Sequence, residues 1–170
     1  MLFRSEDTIV EVMGALANKK PLDDIKGIAF REGKNITVNP RRGVIEDIDS
    51  IPFPAYKSFD IDHYRLLTLP NSEGTDFVMP MMSGRGCTFK CTFCYRMDPG
   101  HRARSAESII EEVRYLNKEF GINYVGFYDD LLMTSVKHTE DICNAFIKAD
   151  LGVKWNCNGR LNYCTPELLK

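Results

Sequence analysis

The sequence lacks the features that mark a membrane protein, a secreted protein or a nucleic-acid-binding protein. Its 22 lysines and arginines against 24 aspartates and glutamates give a net charge of −2, without the basic surplus that binds phosphate backbones or anionic lipids. The longest apolar run, Phe77 to Met82, is broken by Pro80 and is far shorter than the roughly 20 residues that span a bilayer. Residues 1–4 lead straight into polar sequence, without the apolar stretch of a signal peptide. We therefore expect a cytoplasmic protein that binds neither nucleic acid nor a membrane.

The sequence also has no low-complexity segment, and no internal repeat beyond an alternation of strand and helix patterns. With 44% hydrophobic and 27% charged residues, its composition is that of a globular protein. A chain of 170 residues is long enough for one domain, or for a small domain with part of another.

Three of the six cysteines lie within eight residues, which we call the cysteine loop (residues 87–94). In a reducing cytosol such a cluster indicates metal binding or catalysis rather than disulfides. Three thiolates leave a tetrahedral metal site one ligand short, and an iron–sulfur cubane normally takes four cysteines. An open coordination position is typical of a metal site that performs chemistry. The candidate ligands are Cys87, Cys91 and Cys94, whereas Cys143, Cys157 and Cys164 are interpreted as small buried apolar residues.

The first part of the chain predicts a helix, a β-hairpin and an extended linker. A helix from Ser5 carries an apolar stripe and ends by Pro21, and two short strands joined by a glycine-containing turn follow over residues 27–38. Four prolines between residues 39 and 70 predict an extended segment that lies on a surface. The stripe consists of Ile9, Val12, Met13 and Leu16, and the expected anchors of the extended segment are Tyr56, Phe59 and Tyr64.

The second part predicts alternating strands and helices, which is typical of a parallel α/β sheet or barrel. Functional groups of such folds collect at the carboxyl ends of the strands. The cysteine loop follows the first strand, an Asp-Asp pair the second, and an Asn-Gly-Arg run the third. The expected strands are residues 77–82, 124–128 and 153–157, and the expected helices are residues 106–120 and 137–149 with a further one from Thr165.

The pattern Cys-x₃-Cys-x₂-Cys directly after a first strand, with Phe93 before the last cysteine, resembles the radical S-adenosylmethionine (radical SAM) superfamily. This resemblance implies a [4Fe–4S] cluster held by the three cysteines of the loop, with one iron open to S-adenosylmethionine. One electron would then cleave the cofactor to methionine and a 5′-deoxyadenosyl radical. The implied partners are a small-molecule substrate and an electron donor of the flavodoxin or ferredoxin type.

The resemblance also implies residues that bind S-adenosylmethionine. Asp129 and Asp130 end the second strand, where the family meets the methionine amino group, and Asp130 is favoured because adjacent side chains point to opposite faces. The alternative for both is helix capping or loop solvation. Arg160 is a candidate for the cofactor's carboxylate, with a surface ion pair as its alternative, and Asn158 is a weaker candidate at the same strand end.

Phe93 and Tyr95 flank the last cysteine, where the family meets the adenine, although both rings have packing into the top of the barrel as an alternative. A different interpretation of the cysteines is a closed Cys₃His zinc site completed by His101. His101 alone is otherwise expected to be an exposed loop residue. The chain would then be a non-catalytic metal module, with zinc or a structural iron–sulfur cluster, or an inactive remnant.

Upstream, the run Asp-Ser-Ile-Pro-Phe-Pro over residues 49–54 resembles the connector of the branch linked to a cobalamin-binding domain. That branch includes methyltransferases and an anaerobic cyclase of magnesium-porphyrin synthesis, so methyl transfer or cyclisation is implied. The Asp-x-His-x-x-Gly cobalamin motif is absent, so cobalamin is expected only with further sequence. We therefore expect a fragment: a helix-plus-hairpin domain tail over residues 1–50, a linker over 51–75, and the first half of a parallel (β/α)₆ partial barrel over 76–170.

Overall fold

The computed structural model of the protein describes residues 5–66, 68–69, 71–95 and 100–168. The chain divides into two compact units, Met1–Glu46 and Asp47–Lys170, and each is described by itself. Within the described residues, no helix combines the length and the apolar character that crossing a bilayer requires.

The first unit consists of a helix and a β-hairpin, as predicted. Helix α1 spans Ser5–Ala17, and strands β1 (Ala29–Glu32) and β2 (Asn35–Val38) pair antiparallel. A two-residue turn joins the strands, and Gly33 adopts the positive φ of 59° that such turns require. The predicted hairpin is therefore confirmed.

Helix α1 ends before Pro21, as predicted, but it differs from the prediction in its packing. Its last residue is Ala17, after which the Asn18 side chain donates to the carbonyl of Gly14 and Lys19 takes a φ of 52°. Of the predicted apolar stripe, only Val12 packs against the small core of this unit. Three stripe residues are exposed (Ile9, Met13 and Leu16), and the buried apolar side chains are Ala15, Ile25 and Ile28.

The segment after residue 47 contains three short 3₁₀ helices, Ile48–Ser50, Tyr56–Ser58 and Ile61–Leu66. Tyr56 is buried and anchors this segment to the core of the second unit, as predicted. The same expectation is wrong for Phe59 and Tyr64, whose rings are exposed. Isoleucines take their place as anchors, because Ile48 and Ile61 are the buried residues of the first and third 3₁₀ helices.

The second unit is a three-stranded parallel sheet with helical crossovers. Its elements are β3 (Val78–Met81), β4 (Gly84–Cys87), β5 (Gly100–Ala103), α2 (Ala106–Phe120), β6 (Tyr124–Phe127), α3 (Val136–Ala149) and β7 (Lys154–Asn156). The sheet strands lie in the order β3, β6, β7, which is also their order along the chain. The other two strands, β4 and β5, form a separate antiparallel ribbon.

The ends of the two crossover helices follow from local sequence. Ser105 caps α2 by accepting from the backbone N–H of Ser108, and Gly121 ends the helix with a φ of 73°. Ser135 caps α3, which ends at Ala149 as predicted and is followed by Asp150 with a φ of 46°. The further helix predicted from Thr165 is not found in residues 165–168, and the chain beyond them lies outside the described residues.

The core of the second unit lies between the sheet and the two helices. On α2, Ile109, Val113 and Leu116 are buried and Phe120 is partly buried, because apolar residues at helical spacing share one core with β3 and β6. Parallel strands in sequential order bring their carboxyl ends to one edge of the sheet, where the cysteine loop also begins. The fully buried core side chains include Val78, Met79, Ile109, Val113, Leu116, Ile122, Val125, Leu132 and Ile142.

Candidate functional site

The cysteine loop is carried by the antiparallel ribbon of β4 and β5, which we call the cysteine ribbon. In its register Gly84 lies opposite Ala103, and Cys87 lies opposite Gly100. A side chain at residue 84 would collide with the opposite strand, since a Cβ there would lie 2.8 Å from His101 Nε2. The sequence did not predict this ribbon, because its strands are short, rich in glycine and without alternating apolar residues.

The three candidate ligands are all free thiols on this loop. Cys87 and Cys91 are half-buried, and Cys94 is exposed. Among the described residues, no three His, Cys, Asp or Glu side chains are gathered closely enough to hold a metal ion. The donor set nevertheless fits an iron–sulfur cluster, because three thiols without disulfide partners stand at the Cys-x₃-Cys-x₂-Cys spacing on one loop.

Arg160 reaches the loop from the end of β7. Its Nη1 lies 3.6 Å from Cys91 Sγ, and its guanidinium lies over the ring of Phe89 at 3.8 Å from the ring centroid. A cation against an aromatic face is held in place by the ring quadrupole. Arg160 is therefore positioned against a candidate ligand of the metal.

Asp129, at the end of β6, is buried and directed into the start of the cysteine ribbon. Its Oδ1 accepts from the backbone N–H groups of Ser83 and Gly84, both at 2.8 Å. Its Oδ2 accepts from the Ser83 hydroxyl at 2.7 Å and from the Ser83 N–H at 3.0 Å. The side chain that the sequence assigned to cofactor binding or loop solvation thus holds the residues that join β3 to β4.

A buried ion pair holds the same junction from the other side. The backbone N–H of Arg104 donates to the carbonyl of Ser83 at 2.8 Å, and its Nη1 donates to the carbonyl of Met82 at 3.0 Å. The Arg104 guanidinium also pairs with the buried carboxylate of Glu112, whose other oxygen accepts from the Tyr56 hydroxyl at 2.5 Å. Burial and the negative charge of Glu112 raise the pKa of Tyr56, so this hydroxyl stays a donor.

Of the other predicted cofactor-binding residues, Asn158 contacts Asp129, and the rest are exposed to solvent. The Asn158 amide donates to the backbone carbonyl of Asp129 at 3.1 Å, which ties the end of β7 to the end of β6. Asp130 is exposed, as are Phe93 and Tyr95, whose side chains are 90% and 87% exposed. The structure thus brings Asp129, Asn158 and Arg160 to one edge of the sheet, with neither aromatic ring packed there.

His101 is half-buried on β5, so the expectation of an exposed loop residue is wrong. Its ring meets that of His138 edge to face, with 6.5 Å between centroids, and lies against Gly84. Burial, followed by the positive charge that His138 would carry, lowers the pKa of His101. Burial also lowers the pKa of His138, whose buried Nε2 has no hydrogen-bond partner among the described residues. This placement beside His138 does not favour a Cys₃His zinc site.

The remaining cysteines are half-buried, whereas the sequence predicted buried residues. Burial raises the pKa of the Cys143 thiol, and raises that of Cys157 to about 11, so neither is an activated thiolate. Cys143 is therefore a suitable control for the cysteines of the loop.

The sequence did not single out Ser83, Phe89 or His138, although each contacts a predicted site residue. Ser83 is a small polar residue after an apolar strand, Phe89 an apolar residue in a glycine-flanked loop, and His138 one of three histidines. The only signal for these contacts in the sequence was the position of Phe89, because an aromatic ring within a predicted metal-binding loop is expected to pack against another side chain. Arg160 supplies it across 71 residues of chain, a contact that no local pattern predicts.

The comparisons with known proteins agree with this geometry. The family model "Radical SAM superfamily" matches residues 81–170. An uncharacterized methyltransferase of Pyrococcus horikoshii is 30% identical over 97% of this chain and 35% of its own length. The cytidylyl-2-hydroxyethylphosphonate methyltransferase of Streptomyces wedmorensis is 28% identical over 69% of this chain and 22% of its own length.

An anaerobic magnesium-protoporphyrin IX monomethyl ester cyclase of Cereibacter sphaeroides is 29% identical over 86% of this chain and 24% of its own length. Among solved structures, the cobalamin-dependent S-adenosylmethionine radical enzyme OxsB matches with a TM-score of 0.68 at 20% identity. That match covers 94% of this chain and 22% of the other, and it shows the fold. The chain thus spans about a third or less of the length of these relatives.

Proposed function

The chain belongs to the radical SAM superfamily, and we propose that it forms the cluster-binding and cofactor-binding part of an enzyme that cleaves S-adenosylmethionine reductively. The observation that carries this proposal is the cysteine loop itself. It presents three free thiols at the carboxyl edge of a parallel sheet, beside the cation of Arg160. Folds of this kind collect their functional groups at that edge.

Cys87, Cys91 and Cys94 would hold a [4Fe–4S] cluster with one iron not bound by protein. When bound, such a cluster supplies the electron that splits S-adenosylmethionine into methionine and a 5′-deoxyadenosyl radical. The protein's contribution is to hold and orient the two cofactors and to exclude water. The Arg160 guanidinium would orient Cys91 and offset negative charge at the sulfur, since a cation beside a thiolate stabilises its charged form.

The proposed S-adenosylmethionine contacts are divided among residues at the ends of two strands, β6 and β7, and residues around the last cysteine of the loop. Asp130 would accept from the methionine ammonium, since an ammonium needs acceptors and this carboxylate is exposed at the end of β6. Asn158 and Arg160 would meet the carboxylate, because both offer N–H donors at the end of β7. The exposed rings of Phe93 and Tyr95 would cover the adenine.

The proposed reaction is methyl transfer or cyclisation of a small organic substrate. Two of the relatives are named methyltransferases and one is named a cyclase, while OxsB is described as cobalamin-dependent. Residues 1–50 are accordingly proposed to be the end of a cobalamin-binding-like domain, residues 51–75 its linker, and residues 76–170 part of the barrel. An electron donor of the flavodoxin or ferredoxin type completes the proposal.

The test is the formation of 5′-deoxyadenosine from S-adenosylmethionine by a longer protein that contains this 170-residue sequence, reconstituted anaerobically and reduced with dithionite; the 170 residues alone are expected to be inactive. We expect the product to form, to disappear in Cys91→Ala, and to persist in Cys143→Ala, the control outside the loop. A colourless protein with stoichiometric zinc and no 5′-deoxyadenosine would contradict the proposal.

A further inference from the structure

We propose that Asp129 is a positioning residue for the cysteine loop and not a ligand of S-adenosylmethionine. This inference takes the identity of the cluster from the proposed function, whereas the hydrogen bonds of Asp129 do not depend on it. Asp129 is 2% exposed and lies at the end of β6, one residue before the exposed Asp130.

Both oxygens of the Asp129 carboxylate are engaged within the protein. Three donors share them: the Gly84 N–H donates to Oδ1, the Ser83 hydroxyl donates to Oδ2, and the single Ser83 N–H lies within hydrogen-bond distance of both oxygens. Because Asp129 is also only 2% exposed, the ammonium group of a methionine has no open approach to these oxygens. That role falls to another acceptor, for which the exposed Asp130 is available.

The donors that Asp129 holds are the hinge between the sheet and the cysteine ribbon. Ser83 follows β3, and Gly84 is the first residue of β4, whose last residue is Cys87. Because the ribbon is only four residues long on each strand, its direction is set by the orientation of residues 83 and 84. The Asp129 carboxylate thus fixes the direction in which β4 leaves the sheet. Cys87 follows three residues after Gly84, the nearest residue that donates a hydrogen bond to this carboxylate.

The same residue ties the third strand into this arrangement. The backbone carbonyl of Asp129 accepts from the Asn158 amide, and Arg160, two residues later, contacts Cys91. Asp129 therefore connects the ends of β3, β6 and β7, and the predicted ligands and cofactor contacts lie in the segments that follow these three strands. Charge-assisted hydrogen bonds from buried backbone N–H groups are strong enough to hold such a junction rigid.

The first test uses protein without a cluster, so that it does not depend on the proposed function. Asp129→Asn keeps the side-chain shape but turns an acceptor into an N–H donor that faces the Ser83 N–H. We expect the amides of Ser83 and Gly84 to exchange hydrogen at least tenfold faster in this variant, whereas the exposed control Asp141→Asn leaves them unchanged. Unchanged exchange in Asp129→Asn would overturn the inference.

The second test measures the cluster. Reconstituted Asp129→Asn should bind at most a third of the wild-type iron per chain and give an altered electron paramagnetic resonance spectrum of the reduced cluster, while Asp141→Asn matches wild type. If wild type binds no iron, the proposed function fails and the exchange result still decides the inference. If wild type binds iron and Asp129→Asn binds it equally with the same spectrum, the inference fails alone.

If Asp129→Asn does not fold, a milder variant, Ser83→Ala, tests the positioning role of Asp129. Ser83→Ala removes the hydroxyl that donates to Oδ2 but keeps both backbone donors. We expect about threefold faster exchange at Gly84 and a partial loss of iron, with native tryptophan fluorescence. A folded Ser83→Ala with wild-type exchange and wild-type iron would refute the positioning role of this junction.

Discussion

Glu112 and Glu119 lie on the same helix, α2, and each forms an ion pair. Replacing each of them by a neutral residue should nevertheless lower the free energy of unfolding by very different amounts. The Glu112 side chain is 4% exposed and that of its partner Arg104 is 13% exposed, whereas Glu119 and Lys57 are 34% and 69% exposed. Removing one partner of a buried pair leaves an uncompensated charge in the interior. A surface pair contributes little because water and salt screen it.

Glu112→Gln keeps the shape of the side chain but places an amide N–H against the Arg104 guanidinium. We expect it to lower the free energy of unfolding by about 3–5 kcal/mol, the range for a broken buried pair. With a urea dependence of about 2 kcal/mol per molar, the midpoint should fall by about 1.5–2.5 M. Glu119→Gln should leave the midpoint near that of wild type.

The assay is urea unfolding followed by the fluorescence of Trp155, the single tryptophan of the chain. Trp155 lies in β7 and stacks on Phe146 at 5.4 Å, within the core that α2 covers, so its signal reports the second unit. Equal urea midpoints for Glu112→Gln and Glu119→Gln would contradict this prediction, because they would show that the burial of an ion pair does not determine how much stability is lost when the pair is broken.

Three other outcomes follow from the same contacts. Burial lowers the pKa of His101 and of His138, so the unfolded chain binds more protons than the folded chain below about pH 6.5. The free energy of unfolding should therefore keep its full value above that pH and decrease as the pH falls below it. Urea titrations of His138→Gln should show a smaller decrease between about pH 6.5 and 5. Gly84→Ala should destabilise the second unit by about 1–3 kcal/mol through its clash with His101, whereas Gly74→Ala, which meets nothing within 4 Å, should not. Arg160→Lys should change the reduction potential of the cluster measured by redox titration, because it removes the guanidinium at Cys91 Sγ, and an unchanged potential would contradict that contact.

Local patterns predicted the sheet strands and crossover helices of the second unit, because each of these patterns depends on residues close together in sequence. Ser105, the apolar spacing of α2 and Gly121 define that helix completely within 17 residues of sequence. The buried strand before the cysteine loop was likewise predicted from its apolar run, and it is β3. The membership in the radical SAM superfamily was predicted from the cysteine spacing in that context.

The contacts within the site could not be predicted, because they join residues far apart in sequence. Asp129 meets Ser83 across 46 residues, and Arg160 meets Cys91 across 69. Alternation correctly indicated that only one residue of the Asp-Asp pair is directed inward, but not which one, since that depends on the two-residue step from Phe127 to Asp129. The structure directs Asp129 inward and leaves Asp130, the favoured candidate, exposed.

The most direct test of the account is Mössbauer spectroscopy of protein reconstituted with ⁵⁷Fe, with and without S-adenosylmethionine. We expect a [4Fe–4S] cluster with one iron whose isomer shift changes when S-adenosylmethionine is added, because Cys87, Cys91 and Cys94 would hold only three of the four irons. A spectrum in which all four irons are equivalent and unaffected by S-adenosylmethionine would contradict it, as would the absence of a cubane signal.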